Sequence, residues 1–170
     1  MGQTGNMIVN GQAIPSVKTD LVTAGETVQT TSDAVLGSGL VVFFAVPGAF
    51  TPTCHVNHLP GFVANAAKLR AAGVDRIVCA SVNDKHVMRA WAEASGALGH
   101  IDFLADGNAE LADAMGLSKD LSVAGMGKRF TRSAALIRDG IIQQIFIEDA
   151  PGVTATGAPA ILMALEITKV

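Results

Sequence analysis

Leu40–Phe62 runs Leu-Val-Val-Phe-Phe-Ala-Val-Pro-Gly-Ala-Phe-Thr-Pro-Thr-Cys-His-Val-Asn-His-Leu-Pro-Gly-Phe. Its first seven residues, Leu40–Val46, are all apolar, with the length and the β-branched and aromatic content of a strand buried on both faces. Pro47-Gly48 stops the strand, because proline gives no N–H to a sheet ladder and glycine permits a sharp turn. Thr51 has the chemistry of an N-cap and Pro52 that of the first helical residue. Cys54 then falls in the first helical turn, above the C-terminal end of a buried strand. Amides there lack intrahelical acceptors and stabilise anions, and a thiolate is an anion.

On the N-terminal side, residues 1–39 are rich in Gly, Thr and Ser with short apolar pieces at Ile8-Val9, Leu21-Val22 and Val35-Leu36. They are expected to form edge hairpins leading into the first central strand. On the C-terminal side the spacing predicts a helix from Thr53 to about Ala72, bent or broken at Pro60-Gly61 and ended by Gly73. A second buried strand is expected over Asp75–Val82, with Asn83-Asp84 capping a helix over Lys85–Ala94 whose Val87, Met88, Trp91 and Ala94 share one stripe. A third strand (Ile101–Leu104), a short helix (Asn108–Met115) and a hairpin follow. The hairpin turns through Asp139-Gly140, between Ala134–Ile137 and Ile141–Ile147. A last helix, Pro159–Thr168, would bury Ile161, Leu162, Leu165 and Ile167 only in part. Strands alternating with helices, then a hairpin and a helix, indicate an α/β fold with a central mixed sheet, in a single domain over 1–170.

Composition narrows the function classes. Hydrophobic residues make up 49% of the 170 and charged residues 16%, which is the balance of a globular chain. Apolar runs fall short of the ~18 residues that span a bilayer, so no membrane partner is expected. Met1–Gly11 lacks the basic and apolar regions of a secretory signal. A net charge of −3, with basic residues gathered only at Lys128-Arg129 and Arg132, argues against nucleic acid. Two cysteines are too few for a disulfide scaffold, so a cytoplasmic, reducing setting is expected. Two cysteines with scattered histidines give no zinc spacing, and no metal is expected.

A helix end is worth only about 0.3–1 kcal/mol to a nearby anion. An ordinary thiol, with a pKa of about 8.5, stays mostly protonated at neutral pH under so small a bias. Activation of Cys54 therefore requires a cation close by.

Pro47-Gly48-Ala49-Phe50-Thr51-Pro52-Thr53-Cys54, with His58-Leu59-Pro60-Gly61-Phe62, resembles the active-site signature of peroxiredoxins. It is most similar to the type II, atypical two-cysteine (peroxiredoxin-five-like) kind. The similarity continues through Ser81-Val82-Asn83-Asp84, Trp91, Phe103–Gly107, and Gly125-Met126-Gly127 with Arg129 and Arg132, covering roughly residues 8–168. The resemblance implies a thioredoxin-like fold and a thiol-dependent peroxidase of antioxidant defence, acting on hydrogen peroxide and small organic hydroperoxides without metal or organic cofactor. It implies that Cys54 attacks the peroxide and becomes a sulfenic acid. Thr51 would bond thiolate and peroxide, and Pro47 would shield the site from water. The required cation, an arginine early in a later strand, falls on Arg132, with Arg129 as the second candidate; Ser133 stands where many relatives carry an aromatic residue.

Cys79 lies at the spacing of the plant-type resolving cysteine, yet mid-strand, roughly 10 Å below the strand's top at ~3.3 Å per residue. A disulfide to Cys54 would need the first helical turn to unwind. The alternative is a buried core cysteine, with the sulfenate reduced by an external thiol: thioredoxin, glutaredoxin or glutathione. Two other functions also use Cys54. A cysteine hydrolase or acyltransferase would pair it with His58, one helical turn on, but needs an oxyanion hole and a third residue that the sequence does not identify. A redox-sensing module would oxidise Cys54 without turnover. The apolar Ala49-Phe50 segment beside an open site would be covered by a second subunit, giving a homodimer.

Overall fold

A computed structural model describes residues 6–168; residues 1–5 of the N-terminal stretch and Lys169-Val170 lie outside it. The Leu40–Val46 run is the strand β3, with every residue buried, and its neighbours are Arg76–Ser81 (β4), parallel, and Ser133–Arg138 (β8), antiparallel. Four more strands complete the seven-stranded mixed sheet around it. Lys18–Val22 (β1) and Thr27–Thr31 (β2) form an antiparallel edge hairpin, Asp102–Ala105 (β5) joins it to β4, and Ile141–Ile147 (β9) closes the other edge beside β8. The order across the sheet is β2-β1-β5-β4-β3-β8-β9.

Alternation along β3 sends its side chains to two cores. Val42, Phe44 and Val46 meet Leu59–Ala71 (α2), Lys85–Ala94 (α3) and Ala158–Thr168 (α5), in a cluster that also holds Cys54 and Cys79. Val41, Phe43 and Ala45 face the opposite core, under Ser32–Leu36 (α1) and Glu110–Ala114 (α4). Each face of the sheet thus carries helices, as the buried runs require.

Local signals explain most boundaries. The Asp84 side chain accepts from the Val87 amide at 2.9 Å and caps α3. Asp139 and Gly140 both have positive φ (49° and 81°), the geometry of the tight β8–β9 turn. In α5, Ile161 and Leu165 are buried, Leu162 is half-buried and Ile167 is exposed, as a partly buried helix requires.

Four features differ from expectation. Val35-Leu36 belongs to α1, not to a hairpin. A second small sheet pairs Ser118–Asp120 (β6) with Lys128–Phe130 (β7). The helix expected from Asn108 starts at Glu110, because Ala109 has φ 60° and the Asp106 carboxylate receives the Leu111 and Ala112 amides, each at 2.9 Å. The expected Thr53–Ala72 helix is two helices in series. Cys54–His58 is a π-helical turn, with the Leu59 amide reaching back five residues to the Cys54 carbonyl, and α2 takes over from Leu59. Pro60, which has no N–H to donate, therefore ends up in the first turn of α2 and not as a kink within a longer helix.

Phe62 is fully buried and stacks on Phe44 with centroids 4.0 Å apart and planes 11° apart, tying α2 to β3. Phe62→Ala is expected to destabilise the fold by about 3–5 kcal/mol. Urea titration would show it as a lower midpoint at unchanged slope.

Candidate active site

The sulfur sits where β3 hands over to the π-helical turn. Helical bonding begins with the His55 amide on the Thr51 carbonyl at 2.8 Å, so the Thr53 and Cys54 amides come before the first intrahelical donor. The turn leading there is clamped from three sides. Ser81 Oγ and the Ala49 amide both donate to Asn83 Oδ1, at 2.5 and 3.0 Å. Arg129 donates from Nε to the Met126 carbonyl (2.8 Å) and from Nη1 to the Pro47 carbonyl (3.2 Å). The Thr51 hydroxyl donates to the Gly48 carbonyl at 2.6 Å. That bond points back along the turn, where the sequence had suggested a cap reaching forward to the helix. Phe50, between these anchors, is held at φ 63° and stays exposed.

Arg132 supplies the cation. Its Nη2 donates to Cys54 Sγ at 3.1 Å and its Nη1 meets His58 Nδ1 at 2.8 Å. It lies in the connection between β7 and β8, one residue before the strand in which an arginine was expected. The other ring nitrogen of His58, Nε2, is 2.9 Å from the Thr156 carbonyl. A carbonyl only accepts, so Nε2 carries the proton and Nδ1 offers its lone pair to the guanidinium. His58 thus holds the arginine, while the arginine contacts the thiol.

A family model described as Redoxin matches residues 9–162. Peroxiredoxin-2B of Arabidopsis thaliana is 39% identical over 159 residues, covering 93% of this chain and 98% of the relative. The chain belongs to the peroxiredoxin family. Chloroplastic peroxiredoxin-2E-2 of Oryza sativa subsp. japonica is 50% identical over 128 residues; that match takes in 73% of this chain and 56% of the longer relative. Among solved structures, reduced Prx3 of Vibrio vulnificus in complex with hydrogen peroxide superposes with a TM-score of 0.88 at 40% identity, over 94% of this chain and 99% of that one. The fold is therefore thioredoxin-like, and the chain is a thiol-dependent peroxidase of the antioxidant class, with a peroxide substrate and a thiol reductant.

Within this peroxiredoxin, burial shapes the electrostatics. His58 is buried, and burial above all holds its pKa down to about 4, with the Arg132 charge adding to the effect. The Cys79 thiol, buried in β4, is pushed well above its ordinary value by burial first and by its neighbour Cys54 second. Cys54 is also fully buried, where an open site was expected. A cleft of about 370 Å³ opens beside the site, lined by Pro47, Thr53, Phe130, Arg132, Glu148 and Pro151, among others. Arg132 both lines the cleft and touches the sulfur. Pro47 thus stands at its wall, and Arg129 serves the Pro47 turn.

From the sequence, His58 stands out only as a candidate base for Cys54. Its position one turn after the cysteine was the available signal. His55 is half-buried, with Nδ1 accepting from the Trp91 indole N–H at 3.0 Å.

The His58 shift has a consequence for stability. The unfolded imidazole protonates near its ordinary 6.5 and the folded one only near 4. Between those values the unfolded chain binds more protons, so stability falls as pH drops through that window and flattens below it. At about 1.36 kcal/mol per pKa unit the full loss is about 3 kcal/mol. Urea unfolding from pH 7 to 4 should show this decline in the wild type, and His58→Gln should remove that component of it.

Proposed function

We propose that Cys54 is the peroxidatic nucleophile, with Arg132, Thr51 and Pro47 shaping the peroxide site around it. The observation that carries this is the 3.1 Å contact between the Arg132 guanidinium and Cys54 Sγ. A guanidinium keeps its charge at every relevant pH and presents several donors in one plane, so it favours thiolate over thiol and can donate to peroxide oxygens as well. The Thr51 hydroxyl has its proton on Gly48, which leaves its oxygen free to accept from a hydroperoxide O–H. The thiolate attacks the nearer peroxide oxygen and the O–O bond breaks. Its electron pair leaves with the other oxygen, which takes a proton to become water or alcohol. Cys54 becomes Cys–SOH.

Recycling is assigned to an external thiol. One reductant thiol condenses with Cys–SOH, releasing water and forming a mixed disulfide; a second displaces Cys54 as thiol and leaves as the oxidised disulfide. Burial of Cys79 and the upward push on its thiol favour this route over resolution by Cys79. Glutathione or a glutaredoxin fits it better than an intramolecular disulfide awaiting thioredoxin. After one equivalent of peroxide, mass spectrometry should find sulfenic acid on Cys54. A Cys54–Cys79 disulfide would reassign Cys79 as the resolving residue.

Hydrogen peroxide and small hydroperoxides are the substrates proposed, in line with the peroxide-bound Vibrio relative. The exposed Phe50 and Val56, both at the turn, support a homodimer that covers them. The low cysteine count, with both thiols free, supports a reducing, cytoplasmic location.

Cys54→Ser should abolish peroxide consumption in a thiol-coupled assay. Arg132→Lys should slow the reaction of Cys54 with peroxide by about a hundredfold, the scale of losing an oriented donor, and should slow its alkylation by iodoacetamide at neutral pH. Retained activity in Cys54→Ser would remove the assignment.

A further inference from the structure

Beyond β9 the chain folds back over the site in a segment without regular structure, residues 148–157. Its order comes from one carboxylate. Glu148 Oε1 accepts from Thr154 Oγ1 (2.5 Å) and the Ala155 amide (3.2 Å). Its Oε2 accepts from the Thr154, Ala155 and Thr156 amides (3.0, 3.1 and 3.2 Å) and from Thr156 Oγ1 (2.8 Å). Burial opposes this charge, but the Thr154 and Thr156 hydrogen bonds outweigh it and hold the carboxyl down at about 2. The backbone of the same residue donates to the Arg132 carbonyl at 3.0 Å.

Both ends of these contacts lead to one side chain. The strap that Glu148 ties presents the Thr156 carbonyl to His58 Nε2, and His58 Nδ1 receives Arg132 Nη1. Meanwhile the Glu148 amide holds the Arg132 backbone. We propose that Glu148 is a positioning residue of the peroxide site. It fixes Arg132 at the main chain directly and at the guanidinium through the Thr156 carbonyl and the His58 ring, so that Nη2 stays on the Cys54 sulfur. The inference rests on the assignment of Cys54 and Arg132 to the peroxide reaction.

The chemistry distinguishes this from simple loop packing. Both carboxylate oxygens receive donors, so a glutamine would satisfy one set with its carbonyl oxygen and turn N–H groups against the other. Glu148→Gln keeps the main-chain bond to Arg132 and disturbs only the strap. Loosening the Thr156 carbonyl removes what selects the Nε2–H tautomer of His58. The imidazole then samples the Nδ1–H form, which cannot accept from Arg132.

Glu148→Gln and Thr156→Val, which retains the carbonyl but loses the hydroxyl contact, are the variants to compare. Three readouts serve: His58 tautomer by nitrogen-detected NMR, the neutral-pH alkylation rate of Cys54, and the rate constant with hydrogen peroxide. Glu148→Gln should mix the tautomers, slow alkylation and lower the peroxide rate constant by about ten- to a hundredfold, as small misplacements of catalytic groups do. Thr156→Val should move all three in the same direction but less. A protein that melts lower yet keeps wild-type tautomer, alkylation and peroxide rates would overturn the proposal and leave Glu148 a loop brace only. Wild-type protein without peroxidase activity would instead overturn the underlying assignment. The tautomer and alkylation readouts would still report on Glu148 in that case.

Discussion

A single guanidinium, shared between a sulfur and a histidine, is the contact on which the rest of the molecule converges. Arg132 comes from the β7–β8 connection, Cys54 and His58 from one π-helical turn, and they meet across 78 and 74 residues of sequence. For that meeting to be reproducible, β3 and β8 must be in fixed register. Six residue pairs from Leu40–Arg138 to Ala45–Ser133 set it. A slip of one residue would turn every β8 side chain to the opposite face and carry the arginine away from the sulfur. The all-apolar β3 resists such a slip, because both of its faces are packed against helices. Sheet packing and site chemistry are therefore one constraint seen at two scales.

The π-helical turn has the same double character. A regular α-helix would close its bonds every four residues, whereas the Leu59 amide here reaches the fifth residue back, Cys54. One residue is thereby accommodated between the cysteine and α2. Both Cys54 and His58 are buried within this turn. Phe44 supports the arrangement from the sheet, its ring 5.1 Å from the His58 ring and stacked on Phe62. A deformed helix costs backbone hydrogen bonding, and the packing of these three rings in the core offsets that cost.

What could be read from the chain alone divides by the range of the interactions. The β3 strand, the Asp139-Gly140 turn, the Asp84 cap and the cysteine at the strand-to-helix junction all have their causes within a few residues, and were visible. Arg132 could be named only through the resemblance, which calls for an arginine early in a later strand; the Asp139-Gly140 turn fixed where that strand lies. α1 was missed because five residues carrying Val35-Leu36 show no helical period. The small β6–β7 sheet was missed because three-residue strands have no pattern to recognise. Pro60 announced a disturbance but not its form, since a missing N–H can be absorbed by a kink, a break or a change of helical register. The partnership of His58 with Arg132 was beyond local reading altogether. Glu148 followed by Thr154-Ala155-Thr156 did carry a local signal, a carboxylate a few residues before a hydroxyl-flanked stretch, but such pairs are common in exposed loops.

As the proposed peroxidatic residue, Cys54 faces two demands that oppose each other. Reaction with a peroxide requires access, and a fully buried sulfur has none in the resting structure. Protection of the thiolate and of a sulfenic acid intermediate requires the reverse, and exclusion of water also strengthens the arginine contact. Arg132 both faces the cleft and bonds the sulfur, so under that proposal it links the two. On the proposed reading, a peroxide at the sulfur would take up guanidinium donors that now face Cys54 Sγ and the cleft. The Pro47 turn at the cleft wall is held by Arg129 at its carbonyl and by Asn83 two residues on. The bonds that brace the Pro47 turn and the guanidinium on the sulfur therefore act on the same cleft from two sides.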